Sequence, residues 1–126
     1  MREILFRGKR VDNGEWVEGD SLIHSMFKKG DVCVGVVEGM EIHSVIPETV
    51  GQFTGLTDKN GKKIFEGDIL KGMGGLYRVY FDTSLACFEW AKVNGNWEEN
   101  FSGFADEYEI IGNIHDNPEL LKGGAG

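Results

Sequence analysis

Residues 52–71 read QFTGLTDKNGKKIFEGDILK, and the punctuation of that stretch decides the fold. Asp58-Lys59-Asn60-Gly61 has Asp at the first position and Gly at the fourth, the preferences of a type I turn. The Asp58 carboxylate suits a hydrogen bond from the backbone N–H two residues on. Gly61 can adopt the positive φ that a type I turn with a bulge needs when it closes a hairpin. Lys62 to Phe65 then reads as a strand. Glu66-Gly67-Asp68 interrupts it, and Ile69-Leu70 resumes in extended form. A glycine inside a strand pattern marks a bulge, a bend or a close backbone approach. Gly67 is therefore expected at a bulge or at φ > 0, with Asp68 accepting hydrogen bonds from nearby backbone N–H groups.

The same phrase occurs earlier. Asn13-Gly14-Glu15-Trp16-Val17-Glu18-Gly19-Asp20 parallels residues 60–68 with one residue inserted in the later copy. Each copy runs Asn-Gly, apolar pair, Glu-Gly-Asp, then apolar residues, Leu22-Ile23 in one case and Ile69-Leu70 in the other. Two copies do not make a solenoid. They predict similar hairpin-and-bend units, with Gly19 and Asp20 taking the parts of Gly67 and Asp68.

Three segments carry a family resemblance: MREILFRG at the start, TGLTDKNGKKIFEGDIL in the middle and YEIIGNIHDNPELL near the end. Together they resemble the YopX family, small proteins encoded by bacteriophages and prophages. Residues 21–45 and 71–75 carry nothing that matches. The resemblance implies a β-rich fold of SH3-like barrel or roll modules and a bacterial host. It implies no particular activity and brings no catalytic residues.

The chain has 126 residues with 40% hydrophobic and 11% aromatic content, enough for a folded core in one domain over residues 1–121 or in two small β subdomains. Nineteen glycines against two prolines fit a turn-rich, mainly β protein. No run approaches the roughly 20 apolar residues of a membrane span, and the N-terminus lacks the apolar core of a secretory signal. The expected compartment is the cytoplasm. There Cys33 and Cys87 are expected as free thiols, and the absence of CxxC or CxxH spacing argues against zinc.

The net charge of −8 is uneven: residues 1–63 carry 9 Lys+Arg and 10 Asp+Glu, while residues 64–126 carry 4 and 11. An acidic surface repels phosphate, so nucleic-acid binding is disfavoured. The basic cluster Arg7 to Arg10 is the local exception and reads as a solvated strand end.

Along the chain, residues 3–7 read as a strand and Asn13-Gly14 as a two-residue hairpin turn. Residues 21–27 suit a strand or one helical turn. Val32–Val37 and Ile42–Ile46 form a projecting hairpin, with turns at 28–31 and 38–41, and Pro47 closes it. Residues 71–75 form a loop. Strands follow at 76–81 and 85–93, turning at 82–84. A hairpin turn at 94–96 leads to a return strand from Trp97, residues 101–107 read ambiguously, and a last strand spans 108–114, interrupted at Gly112. Asn117 at an N-cap position and Pro118 after it open a short C-terminal helix. Residues 122–126 read as a disordered tail.

Asp58, Asn60, Gly61, Glu66, Gly67, Asp68, Gly19 and Asp20 are thus a structural motif rather than a catalytic, cofactor or metal site. His24, His43 and His115 lie far apart along the chain, with no carboxylate or cysteine at ligand spacing, and read as strand residues. No cofactor is expected. Two function classes fit. The first is a non-enzymatic interaction module that binds a host or phage protein through β surfaces or the 30–46 hairpin, the acidic half steering it to a basic partner, with no nucleic acid or membrane involved; homo-oligomerisation is left open. The alternative is a small hydrolase or nuclease using an acidic cluster, with Glu66 and Asp68 on one face of an extended segment.

Overall fold

A computed structural model describes residues 3–26, 32–72, 75–93, 98–100 and 107–125, with side chains described except at 25, 26, 32, 33, 98–100 and 122–125. The sequence readings of the turns at 28–31 and 94–96, of Trp97, of the Cys33 thiol and of residues 101–106 fall outside these residues. The chain is mainly β, with twelve described strands in three antiparallel sheets, and none of the sheets closes into a barrel among the described residues. It divides into two units, residues 1–53 and 54–126.

In the first unit β1 (Phe6–Lys9) pairs with β2 (Trp16–Gly19), Lys9 lying opposite Trp16. The connection is longer than the two-residue turn expected at Asn13-Gly14. The Arg10 N–H donates to the Glu15 carbonyl and the Gly14 N–H to the Arg10 carbonyl. Asn13 and Gly14 instead finish a four-residue loop: Gly14 sits at φ 73°, and Asn13 Oδ1 accepts the Glu15 N–H at 2.9 Å. The Asn side chain here mimics a backbone turn, so the longer loop satisfies its own donors.

Strands β3 (Ser21–Met26), β4 (Val32–Glu38) and β5 (Glu41–Val45) form a meander with β4 central. The 30–46 hairpin therefore does not project alone. Residues 21–26, which suited strand or helix, pair with β4 over six positions. The period-two alternation sends Val34, Val36 and Val45 to one face, where they form a buried cluster with Val17, Leu22 and Val50. Two glycines let neighbouring backbone approach this cluster. A Cβ on Gly8 would meet Val45 at 2.9 Å, and one on Gly19 would collide with the Val37 carbonyl oxygen. A 3-10 turn at Pro47–Thr49 leads to β6 (Gly51–Thr57), which begins in the first unit, with Gly51 and Gln52 opposite Arg7 and Phe6, and ends in the second.

In the second unit β7 (Lys63–Phe65) follows the Asp58–Gly61 turn. A five-stranded sheet has the order β11-β10-β9-β8-β12, from β8 (Asp68–Gly72), β9 (Gly75–Asp82), β10 (Cys87–Lys92), β11 (Glu98–Asn100) and β12 (Glu109–Asn113). Its core joins Ile64, Leu70, Tyr77, Val79, Phe88, Trp90 and Tyr108. Tyr77 meets Tyr108 edge-on at 5.4 Å and Trp90 at 6.5 Å. Such pairs contribute about 0.5–1.5 kcal/mol each beyond area burial. Gly72 is required beneath this cluster, because a Cβ there would strike the Tyr108 ring.

Strand β12 slips register between Ile110 and Gly112, a bulge at the expected glycine. Asn117 holds the N-cap position, its carbonyl accepting the Leu120 N–H, but its side chain turns to the strand end. Its Oδ1 reaches back to accept the Asn113 N–H at 3.2 Å, because Gly112, whose Cβ would lie 2.5 Å from that oxygen, leaves the side chain room to fold over the strand end. Residues Pro118–Ala125 then take 3-10 geometry.

Candidate functional site

The acid-bearing motif is built into the second unit as a set of backbone acceptors. The Asp58 carbonyl accepts the Gly61 N–H at 3.0 Å and the Asp58 N–H donates to the Lys62 carbonyl at 2.8 Å; Gly61 is at φ 80°. Asp58 itself is only 3% exposed. Its Oδ1 accepts the Asn60 and Lys62 N–H groups at 2.8 and 2.9 Å, while Oδ2 accepts the Ile110 N–H, 52 residues along the chain, at 3.0 Å. Burial alone would raise this carboxyl's pKa. The Ile110, Lys62 and Asn60 donors and the Lys62 charge outweigh it and hold the pKa below the usual carboxylate value.

Gly67 stands at φ 94° in the turn before β8, its N–H donating to the Val79 carbonyl and its carbonyl accepting the Ile114 N–H. Asp68 is 2% exposed and accepts the Phe65 N–H at 2.8 Å. Glu66 is half-buried in the same turn. Each buried aspartate thus binds backbone donors.

The earlier copy differs, which corrects the parallel drawn from sequence. Asp20 is exposed, and its carboxylate takes a 3.4 Å bond from the neighbouring Ser21 hydroxyl. Gly19 is absent from the positive-φ glycines and is required instead by the close approach of β4. The phrase repeats in sequence, but burial and backbone conformation do not repeat with it.

The basic cluster is held locally. Arg7 stacks its guanidinium 4.6 Å from the Trp16 ring, and Lys9 lies 5.9 Å from the same ring. Arg10 donates through Nε and Nη2 to both Asp12 carboxylate oxygens, at 3.0 and 2.7 Å. Cys87 donates its thiol to Glu89 Oε1 at 3.7 Å. Burial, the Glu89 charge and hydrogen bond, and Asp82 together push the Cys87 pKa up, away from a reactive thiolate.

Exposed apolar chemistry gathers on the first unit. The ladder sets Ile23 opposite Gly35 and Ile42 opposite Val37 on the sheet face away from the valine cluster. A Cβ on Gly35 would lie 2.8 Å from Ile42 Cγ2, so the glycine makes room for Ile42 to lie across β4. Ile42 is 61% and Val11 63% exposed, and Met40 in the hairpin turn is fully exposed. Arg10, Val11, Asp12, Ile42, His43 and Ser44 line a cavity of about 370 Å³, joined by the Val11 N–H bond to the Ser44 carbonyl. A second cavity of about 340 Å³ in the other unit is lined by Lys59, Lys71, Gly72, Glu107, Tyr108 and Glu109, of which Lys59 and Glu109 form an ion pair at 3.8 Å.

One constellation escapes a reading along the chain. Glu38, Glu41 and His43 bring one ligand atom each within 4.8 Å of one another. The sequence reading finds no carboxylate at ligand spacing from any histidine; in the fold, carboxylates of Glu38 and Glu41 lie 3.2 and 3.5 Å from His43 Nε2. The signal lay across the hairpin: a two-residue turn sets Glu38 opposite Glu41, and the strand period puts His43 on the same face.

The YopX protein family matches residues 5–122, and the chain belongs to that family. It is similar in structure to the crystal structure of protein EF1440 from Enterococcus faecalis, with a TM-score of 0.56, 24% identity, and coverage of 96% of this chain and 99% of that one. That likeness concerns the fold. Among curated proteins no relative matches. Among the described residues no helix is long and apolar enough to cross a membrane.

Proposed function

We propose that this member of the YopX family is a non-enzymatic protein-interaction module, encoded by a phage or prophage, that acts in the cytoplasm of a bacterial host. In this reading its two β units are SH3-like rolls, and the first carries the docking face. The observation that supports it is a set of exposed apolar side chains on that unit, Ile23 and Ile42 on one sheet face, Met40 in the adjoining turn, and Val11 with Ile42 at a cavity rimmed by the Arg10–Asp12 pair. Exposed apolar side chains beside polar groups are the usual composition of a docking surface. The partner is a host or phage protein that offers an apolar anchor to the cavity. The acidic second half would steer a basic partner towards it. The hydrolase or nuclease alternative, which rests on Glu66 and Asp68, gains no support from Asp68, a buried residue whose Oδ2 accepts the Phe65 N–H inside the fold.

The test is affinity capture from host lysate with the wild type, with Ile42→Asp, and with Leu85→Asp as an exposed apolar control in the other unit. Circular dichroism checks that each variant is folded. One protein should be captured by the wild type and by Leu85→Asp and lost with Ile42→Asp. Capture that survives Ile42→Asp, or that only Leu85→Asp abolishes, defeats the reading.

A further inference from the structure

We propose that Glu38, Glu41 and His43 form a binding site for a divalent transition-metal ion, with Zn2+ the best match. The ligand set is written in the run Glu38-Gly39-Met40-Glu41-Ile42-His43. Gly39, at φ 59°, makes the tight turn between β4 and β5, and Glu38 and Glu41 face each other as the last pair of the ladder. His43 follows Glu41 by two residues, so it shares that face; it lies opposite Val36, two residues before Glu38. Strand pairing thereby places three ligand-bearing residues on one face, and sites on such elements hold their geometry better than sites on loops.

The distances suit a small tetrahedral ion. His43 Nε2 lies 3.2 Å from Glu38 Oε1 and 3.5 Å from Glu41 Oε2. Zinc bonds to imidazole nitrogen and carboxylate oxygen measure about 2.0–2.2 Å, which places neighbouring tetrahedral ligands about 3.3–3.6 Å apart. The two edges that include His43 are thus already near closure. The remaining adjustment falls on the two glutamates, which are exposed and free to rotate onto an ion.

The imidazole sets this group apart from an ordinary acidic cluster. The His43 side chain is only 11% exposed, so the sheet orders most of the ring before binding, and Nε2 points at both carboxylates. The carboxylates bring two negative charges, which a divalent ion neutralises. One nitrogen and two oxygens favour zinc or a neighbouring first-row ion; Mg2+ and Ca2+ prefer six or more oxygen ligands. Three protein ligands leave a fourth tetrahedral position open to water or to a partner's side chain. His43 also lines the cavity beside Ile42, but the three ligands share the face of Val36, whereas Ile42 lies on the opposite face.

Isothermal titration of tag-free protein with ZnCl2 tests it, together with two-dimensional NMR of the histidine ring nitrogens. One ion should bind per chain and shift the His43 Nε2 resonance, while MgCl2 at the same concentration leaves it in place. The Glu38→Gln/Glu41→Gln variant changes only exposed side chains and should fold. It should lose affinity by roughly tenfold or more, a loss seen even for residues that merely support a ligand. His43→Gln should do likewise, and His24→Gln should bind as the wild type does. Clearly substoichiometric binding, or zinc affinity unchanged in the double glutamine variant, would overturn the proposal.

Discussion

Replacing Asp58 removes one side chain and releases three backbone donors. The Asn60 and Lys62 N–H groups lie in a turn whose residues are exposed, so water can replace part of what they lose. Ile110 sits within the strand pairing of β12 and is half-buried, so its N–H has less recourse. A hydrogen bond to a charged group contributes about 1.5–3 kcal/mol, and a bond that water can replace about 1 kcal/mol. Asp58→Ala should therefore destabilise the second unit by about 3–5 kcal/mol. At about 5 °C per kcal/mol for a unit of this size, its Tm falls by roughly 15–25 °C. Asp58→Asn keeps one oxygen for the turn but presents an amide NH2 to one of the former donors, and should cost about 1.5–3 kcal/mol. The pH dependence follows from the lowered pKa. The charged form of Asp58 contributes its stabilisation fully above the unfolded carboxylate value and loses it as pH falls through the folded value. Asp58→Asn should flatten that acid limb of the stability profile. Thermal melts between neutral and acid pH measure both effects, and hydrogen exchange at the Ile110 amide reports the long-range bond. An Asp58→Ala protein that melts within a degree or two of the wild type, with Ile110 still protected, would refute the reasoning.

Gly67→Val forces a β-branched residue to φ 94° and should cost on the order of 1–3 kcal/mol in a urea melt. Gly19→Ala, at ordinary φ, should also destabilise, by overpacking against the Val37 carbonyl, about 1–3 kcal/mol, with the loss appearing as weaker exchange protection in β2 and β4. Asp68→Ala should cost about 1–3 kcal/mol while Asp20→Ala stays within about 0.5 kcal/mol of the wild type, the difference following burial; equal melts for the two would contradict it. Cys87 should alkylate with iodoacetamide more slowly at pH 8 than a free thiol does, and Glu89→Gln should quicken it; unchanged kinetics would remove Glu89 as a cause of the raised pKa.

The local features were legible because local chemistry sets them. The Asp58–Gly61 turn, the positive φ of Gly67 and the bulge near Gly112 each follow from a residue type with few alternatives. The strand at 76–81 was legible too, and its alternation buries Tyr77 and Val79 in the structure. What stayed hidden depends on distance. Nothing near Asp58 announces a bond to Ile110. Two identical Glu-Gly-Asp phrases could not reveal that one aspartate is buried and the other exposed, because that is decided by which strand packs over each. Asn117 has every local mark of an N-cap, yet the space above Gly112 draws its side chain to Asn113. The Glu38–Glu41–His43 group is the instructive intermediate. Spacing along the chain hides it, while hairpin register, which the same residues encode, brings it together.

The sheet order has a consequence for synthesis. Strand β12 occupies the edge beside β8, so the backbone of Ile69 and Leu70 gains its second neighbour only when residues 109–113 arrive. At 5–20 residues per second, translating the intervening forty or so residues takes roughly 2–8 s. Throughout that interval one side of β8 is an open ladder edge, and it carries two of the most apolar residues in the chain. Such an edge is a template for pairing with another nascent copy.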